Sequence, residues 1–111
     1  MERYVQYAVE QTCALLAIDS PTGFTERAAQ RVMEELSALG LEPERTRKGG
    51  VLVCLDPGMP RENALLLEAH TDTLGGMIAE IKGNGRLRLT NLGGMRAENG
   101  ETENVRVCAR D

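Results

Sequence analysis

Apolar residues recur along this chain first with a helical period and then with a strand period. Val5, Ala8, Val9, Leu15 and Leu16, with Thr12 between them, fall on one stripe of a 3.6-residue repeat. The stripe predicts a helix from about Glu2 to Ala17. Asp19-Ser20-Pro21-Thr22-Gly23 ends it, because Pro21 drives the preceding residue from helical angles and Gly23 permits a turn. This loop reads first as a connector. A second helix is expected from about Thr25 to Leu39, with Ala28, Ala29, Val32, Met33, Leu36 and Leu39 as its buried side. Thr25 is placed to cap its start and Glu26 to meet the positive end of its dipole. Gly40 suits a left-handed stop, Leu41 follows to pack back, and Pro43 prevents resumption.

The pattern then shortens. Gly49-Gly50 opens Val51–Leu55, a run of β-formers, and the turn cluster Asp56–Asn63 separates it from Ala64–Ala69. The run Ala64–Leu67 has no polar alternation, so it reads as a buried strand covered on both faces. With so short a connection, the two strands are expected to be antiparallel neighbours. Past Gly75-Gly76 the chain alternates. Met77, Ala79 and Ile81 are expected on one face with Glu80 and Lys82 on the other, and Ile78 breaks the pattern. Gly83-Asn84-Gly85 signals a hairpin turn, after which Leu87 and Leu89 alternate with Arg86 and Arg88. The hairpin is expected to have one dry and one wet face. Gly93–Glu103 is a polar loop, and Val105 and Val107 predict a last strand, Asn104–Ala109. The change of character near Thr73–Gly76 divides the chain into residues 1–74, the start of an α/β domain, and 75–111, the start of an all-β module.

The candidate chemistry lies where the apolar run ends, at His70 and Asp72. In an extended chain, side chains at i and i+2 share a face, so an imidazole and a carboxylate meet at the strand's mouth. A neutral imidazole binds zinc at about 2.0–2.1 Å, and a ligating histidine commonly gives its other N–H to a carboxylate. Asp72 is placed for that orienting role. H-x-D alone also fits a hydrogen-bonded structural histidine, and spacing by itself favours that reading. Glu68, two residues before His70, reads as a structural polar residue.

Composition narrows the classes. The chain has 111 residues, one modest domain's worth, and a net charge of −4 from 13 basic and 17 acidic residues. No basic block with interleaved aromatics is present, so nucleic acid is not an expected partner. One Phe, two Tyr and no Trp leave the core to Leu, Val, Ile, Met and Ala. No apolar run approaches the ~20 residues that span a bilayer. Met1–Gln11 carries Glu2, Arg3 and Glu10 and lacks the organisation of a signal peptide. Cys13, Cys54 and Cys108 form no C-x-x-C pair, which fits reduced thiols in a cytoplasmic protein. Cys13 and Cys54 sit in apolar patterns and read as core filler. One Cys with the only His is a weak basis for a cysteine hydrolase, and no second signature supports it.

Taken together, several segments resemble the N-terminal part of the glutamyl or deblocking aminopeptidases, dinuclear metallopeptidases also labelled endoglucanases. They are S-P-T-G-F-T at Ser20–Thr25, G-G-V-L-V, L-L-E-A-H-T-D-T-L-G-G-M-I at Leu66–Ile78, G-N-G-R-L-R-L at Gly83–Leu89, L-G-G-M at Leu92–Met95 and E-T-E-N-V at Glu101–Val105. Their order and spacing together carry the resemblance over most of the chain. It implies an α/β zinc-exopeptidase domain interrupted, just after the H-x-D, by a small β-barrel dimerisation domain. It implies His70 as a ligand to one of two zinc or cobalt ions and Asp72 as the residue orienting it. A metal-activated water then attacks the N-terminal peptide bond of a short peptide, and dimers assemble into dodecamers. Many members carry an acidic residue where this chain has Thr73, which leaves substrate preference open. The family's bridging Asp, Glu pair, further acidic ligand and second His lie downstream of Asp111. The chain alone is therefore expected neither to hold a metal pair tightly nor to hydrolyse peptides. The competing readings are a non-catalytic oligomerisation module and a related zinc amidohydrolase or carboxypeptidase-like enzyme. The β-module directly after Asp72 argues against the latter.

Overall fold

The computed structural model describes residues 1–109, apart from the side chain of Arg61. Helix α1 spans Glu2–Leu16 and α2 spans Glu26–Ala38. Strands β1 (Glu44–Arg45) and β2 (Val51–Leu52) form one antiparallel ladder, and β3 (Gly75–Ile81) and β4 (Leu87–Leu92) form another. The chain divides into two compact units, Met1–Thr73 and the residues from Leu74 onward. Arg110 and Asp111, the end of the expected 75–111 section, lie outside the described residues.

In the first unit both helices form close to their expected bounds, but of the expected buried side of α2 only Ala28 and Ala29 are buried; Val32, Met33 and Leu36 are half-buried and Leu39, at the helix end, is exposed. Gly40 takes φ +81, its N–H reaches the Ser37 carbonyl at 2.9 Å, and the Leu41 N–H reaches Leu36 at 3.1 Å. Those two bonds close α2 as a Schellman motif and satisfy carbonyls that the helix leaves open. At the other end Thr25 is the N-cap residue but makes no side-chain cap bond. Glu26 instead pairs with Arg45 of β1 at 2.8 Å, tying the helix start to the ladder. Ala28 and Ala29 are the buried apolar residues of this unit, on a helix whose neighbour β2 packs against it.

A polar knot, rather than the predicted α1 stripe, joins the helices. Glu35 accepts from Tyr7 Oη at 2.7 Å and Gln11 Nε2 at 3.0 Å, and pairs with Arg31 at 2.7 Å. Arg31 also donates to Gln11 Oε1 at 2.7 Å. Val5, Val9 and Leu16 remain exposed, and no residue of α1 is buried.

Three further sequence expectations fail in the first unit. Ala64–Ala69 is not a buried strand: it has no strand pairing, and Leu65, Leu66 and Leu67 are 83%, 70% and 81% exposed. A strand is defined by its neighbours, and the expected neighbour, β2, pairs with β1, with Glu44 opposite Leu52 and Arg45 opposite Val51. The run Val51–Leu55 accordingly keeps strand geometry only at Val51–Leu52. Cys13 and Cys54 are exposed free thiols, because the faces that carry them are uncovered.

The second unit is built on the predicted hairpin. Lys82 N–H bonds Arg86 O at 2.8 Å, and Gly85 N–H bonds Lys82 O at 2.9 Å, closing the turn. The register slips between Ile78 and Glu80, so Ala79 is an extra residue with no partner opposite. This bulge accounts for the broken alternation. Ile78 faces Leu89 and Ile81 faces Leu87, which gathers four branched side chains on one face. Met77 lies opposite Thr90 rather than sharing the face of Ile81. Glu80 falls opposite Arg88 and pairs with it at 3.3 Å on the other face. The branched face is not dry: Ile81 is 74% exposed. Asn104–Ala109 forms no strand: it pairs with neither β3 nor β4. The preceding polar loop contains a 3-10 turn at Ala97–Gly100.

Candidate functional site

The site is held by the loop that follows α1. The Phe24 N–H bonds Pro21 O at 2.8 Å across Thr22 and Gly23, and Gly23 takes φ +87. A positive φ at the third position is the signature of a type II turn, which only a glycine or asparagine adopts readily. Pro21 and Thr73 form an isolated parallel bridge. Ser20, fully buried, grips the facing segment twice: its carbonyl accepts from Thr73 N–H at 2.9 Å and its hydroxyl donates to Thr71 O at 2.9 Å. Residues 71–73 are thus pinned on both sides of Asp72.

From that clamp a line of polar contacts runs outward. Thr22 Oγ1 donates to Asp72 Oδ2 at 2.7 Å, and Asp72 Oδ1 lies 2.9 Å from His70 Nδ1. The Asp72 carbonyl adds a longer contact to the same nitrogen at 3.2 Å. The Thr22 hydroxyl first, and His70 second, hold the Asp72 carboxyl below its ordinary range. An ionised carboxylate only accepts hydrogen bonds, so Nδ1 carries the proton and Nε2 carries the lone pair. The imidazole is 86% exposed and Asp72 38%, and Nε2 has no hydrogen-bond partner among the described residues. His70, Thr71, Asp72 and Thr73 line a shallow cleft of about 270 Å³ with Thr12, Leu15 and Leu16. A larger hollow of about 540 Å³ runs along α2 and contains no histidine.

The sequence-predicted pair therefore meets as i, i+2 geometry requires, although on an unpaired extended segment and not on a strand. Glu68 is exposed and takes no part in this hydrogen-bonded line. Among the described residues no group of three His, Cys, Asp or Glu side chains is spaced to hold a metal ion. His70 fits one position of such a site, with an oriented ring and an open nitrogen. The reading of the connector loop missed Ser20 and Thr22. Their signal was the hydroxyl pair flanking Pro21 in S-P-T-G.

On its own the geometry gives a small two-helix α/β unit with an oriented histidine beside an open cleft. Comparison with known proteins sharpens it. The family profile for M42 glutamyl aminopeptidase matches residues 49–111, more than half of the chain, and the chain belongs to that family. The peptidases of this family are metal-dependent. YhfE of Bacillus subtilis (strain 168), provisionally named an aminopeptidase, is 36% identical over 103 residues, which cover 93% of this chain and 30% of that protein. The glutamyl aminopeptidase of Lactococcus lactis subsp. cremoris (strain MG1363) is 30% identical over 81 residues, covering 73% of this chain and 23% of that protein. The chain thus spans less than a third of either relative. Among the described residues no helix is long and apolar enough to cross a membrane.

Proposed function

We propose that this chain supplies the His-Asp corner of a dinuclear, metal-dependent aminopeptidase that removes N-terminal residues from short peptides. The observation that carries the proposal is the His70 ring, whose Nδ1 is anchored on Asp72 while the ring itself is exposed beside a cleft that His70 lines, in a chain of aminopeptidase family. His70 would ligate one divalent ion, zinc or cobalt, and Asp72 would fix its tautomer. When bound, such an ion supplies Lewis acidity and acidifies a water for attack on a peptide carbonyl. The residues of this chain do the positioning: Ser20 pins the segment, Asp72 orients the ring, and the exposure of the ring leaves its other nitrogen accessible. No side chain of this site is assigned as the general base.

The same reading extends to the rest of the notional enzyme. Residues 1–74 belong to the catalytic α/β domain, and residues 75–111 begin a β-barrel-like dimerisation module. The protein works in the cytoplasm as a homo-oligomer built from dimers. Support for the module comes from the branched face of β3 and β4, which is left open to solvent. Sedimentation that shows only monomers of the assembled enzyme, at every concentration, removes the oligomer from the proposal.

The deciding experiment replaces His70 by Ala in the protein and measures metal by emission spectroscopy together with hydrolysis of aminoacyl amides. Loss of about one metal equivalent per chain and of most activity is expected. Unchanged metal content overturns the assignment of His70.

A further inference from the structure

We infer that Thr22 is a positioning residue for His70, acting through Asp72. The inference rests on the reading of His70 as a ligand only in naming Nε2 as the nitrogen that matters.

The argument starts from what a single carboxylate can and cannot fix. Asp72 is the side chain whose carboxylate the imidazole meets at Nδ1. A lone carboxylate on an exposed segment rotates about its side-chain torsions and can present either oxygen or none. Here the second oxygen is occupied: Thr22 Oγ1 donates to Oδ2 at 2.7 Å while Oδ1 takes the imidazole at 2.9 Å. A hydrogen bond to an ionised acceptor is among the stronger ones, so it selects one orientation of the carboxylate. Thr22 is itself held. It stands inside the turn closed by Phe24 and Pro21, next to the bridge from Pro21 to Thr73 and one residue from the buried Ser20. The order of support therefore runs from a fixed turn, through a hydroxyl and a carboxylate, to the ring. A partner one step removed from a metal-binding histidine is where orientation and basicity are tuned. Thr22 adds a further step of the same kind. Nothing else among the described contacts holds Asp72 Oδ2, and without the hydroxyl the carboxylate turns to water.

The consequence is a proton position. With Asp72 held, the neutral ring keeps its proton on Nδ1 and its lone pair on Nε2. With Asp72 released, the two tautomers mix. His70 is the only histidine in the chain, so its ring nitrogens give two unambiguous signals in a long-range proton–nitrogen correlation spectrum of the full 111-residue chain. The tautomer ratio of the neutral ring is read from the two nitrogen shifts.

The expected result is a ring dominated by the Nδ1–H form in the unaltered chain. Thr22→Val should lower the ratio of that form to the other by about fivefold, the leverage of one net hydrogen bond. Thr22→Ser should restore it, since the hydroxyl and not the methyl is used. An unchanged ratio in Thr22→Val, while Asp72→Asn shifts it, overturns the inference, because Asp72 then holds the ring unaided. Should Thr22→Val lose the backbone fingerprint of the folded chain, Thr22→Ala and Thr22→Ser are compared in its place, with the same two outcomes. The metal content of the whole enzyme separates the two proposals. Metal content unchanged by His70→Ala, with the tautomer of the chain still shifted by Thr22→Val, removes the metal reading and leaves Thr22 in its role. Metal lost in His70→Ala, with a tautomer ratio indifferent to Thr22, does the reverse.

Discussion

Glu35 shows how much one side chain carries in this chain. It takes hydrogen bonds from Tyr7 and Gln11 of α1 and an ion pair from Arg31 of its own helix. The Arg31 and then the Tyr7 hydrogen bonds hold its carboxyl below the ordinary value of 4.5. The same bond, seen from Tyr7, raises the phenol above 10.0. The two shifts have opposite consequences. Folding weakens proton binding at Glu35, so its stabilisation is whole above the unfolded value and is lost as pH falls through the lower folded one. Folding strengthens proton binding at Tyr7, so its stabilisation is whole below 10.0 and is lost as pH rises through the higher folded value. The helix pair should therefore have a flat stability maximum between these two edges. Urea midpoints measured across pH should show it, and Glu35→Gln should flatten both edges at once, since Glu35 is the main cause of the Tyr7 shift. If only the acid edge changes, the tyrosine is not held by this carboxylate.

At the scale of elements, the features set by neighbours in sequence were legible, and those set by neighbours in space were not. The period of α2, its stop at Gly40 and the turn at Gly83-Asn84-Gly85 all follow from residues within a few positions of one another, and all occur. The apolar run Leu65–Leu67 looked like a buried strand because apolar side chains need cover, yet cover is a property of other segments, and here β2 pairs with β1. Ile78 is intermediate. Its break in the alternation was visible in the sequence, but the cause, an extra residue at Ala79, appears only once the register is known. The i, i+2 meeting of His70 and Asp72 was legible, since it needs only extended backbone. The third member, Thr22, was not, because it stands fifty positions from Asp72 and only the loop clamp brings them together. The Gly40 stop is testable on its own. An added Cβ there meets nothing within 4 Å, so Gly40→Ala should act through backbone conformation alone and cost about 1–2 kcal/mol of stability. Gly83→Ala, equally open but without a positive φ, should cost much less. Equal losses at both sites in thermal unfolding would mean that the left-handed stop is not what Gly40 contributes.

For the molecule as a whole, the question is how much of a metal centre these 111 residues can hold. A catalytic zinc normally takes three protein ligands and keeps one position open for water. The described residues offer one oriented imidazole and no cluster of three suitable side chains. Asp72 cannot serve fully as a ligand while it orients the ring, because Oδ1 is engaged with Nδ1 and Oδ2 with Thr22. A single exposed imidazole binds a divalent ion weakly and competes with water for it. Calorimetric titration of this chain with zinc should therefore give at most one weak site, sensitive to His70→Ala, and no release of amino acid from aminoacyl amides. Two tight sites on the same chain would show that its carboxylates rearrange around the ion, and would transfer the centre from an assembly of distant ligands to this segment alone. The extent of the His70→Ala effect separates these cases: it abolishes a lone weak site, but only weakens one of two sites built largely from carboxylates.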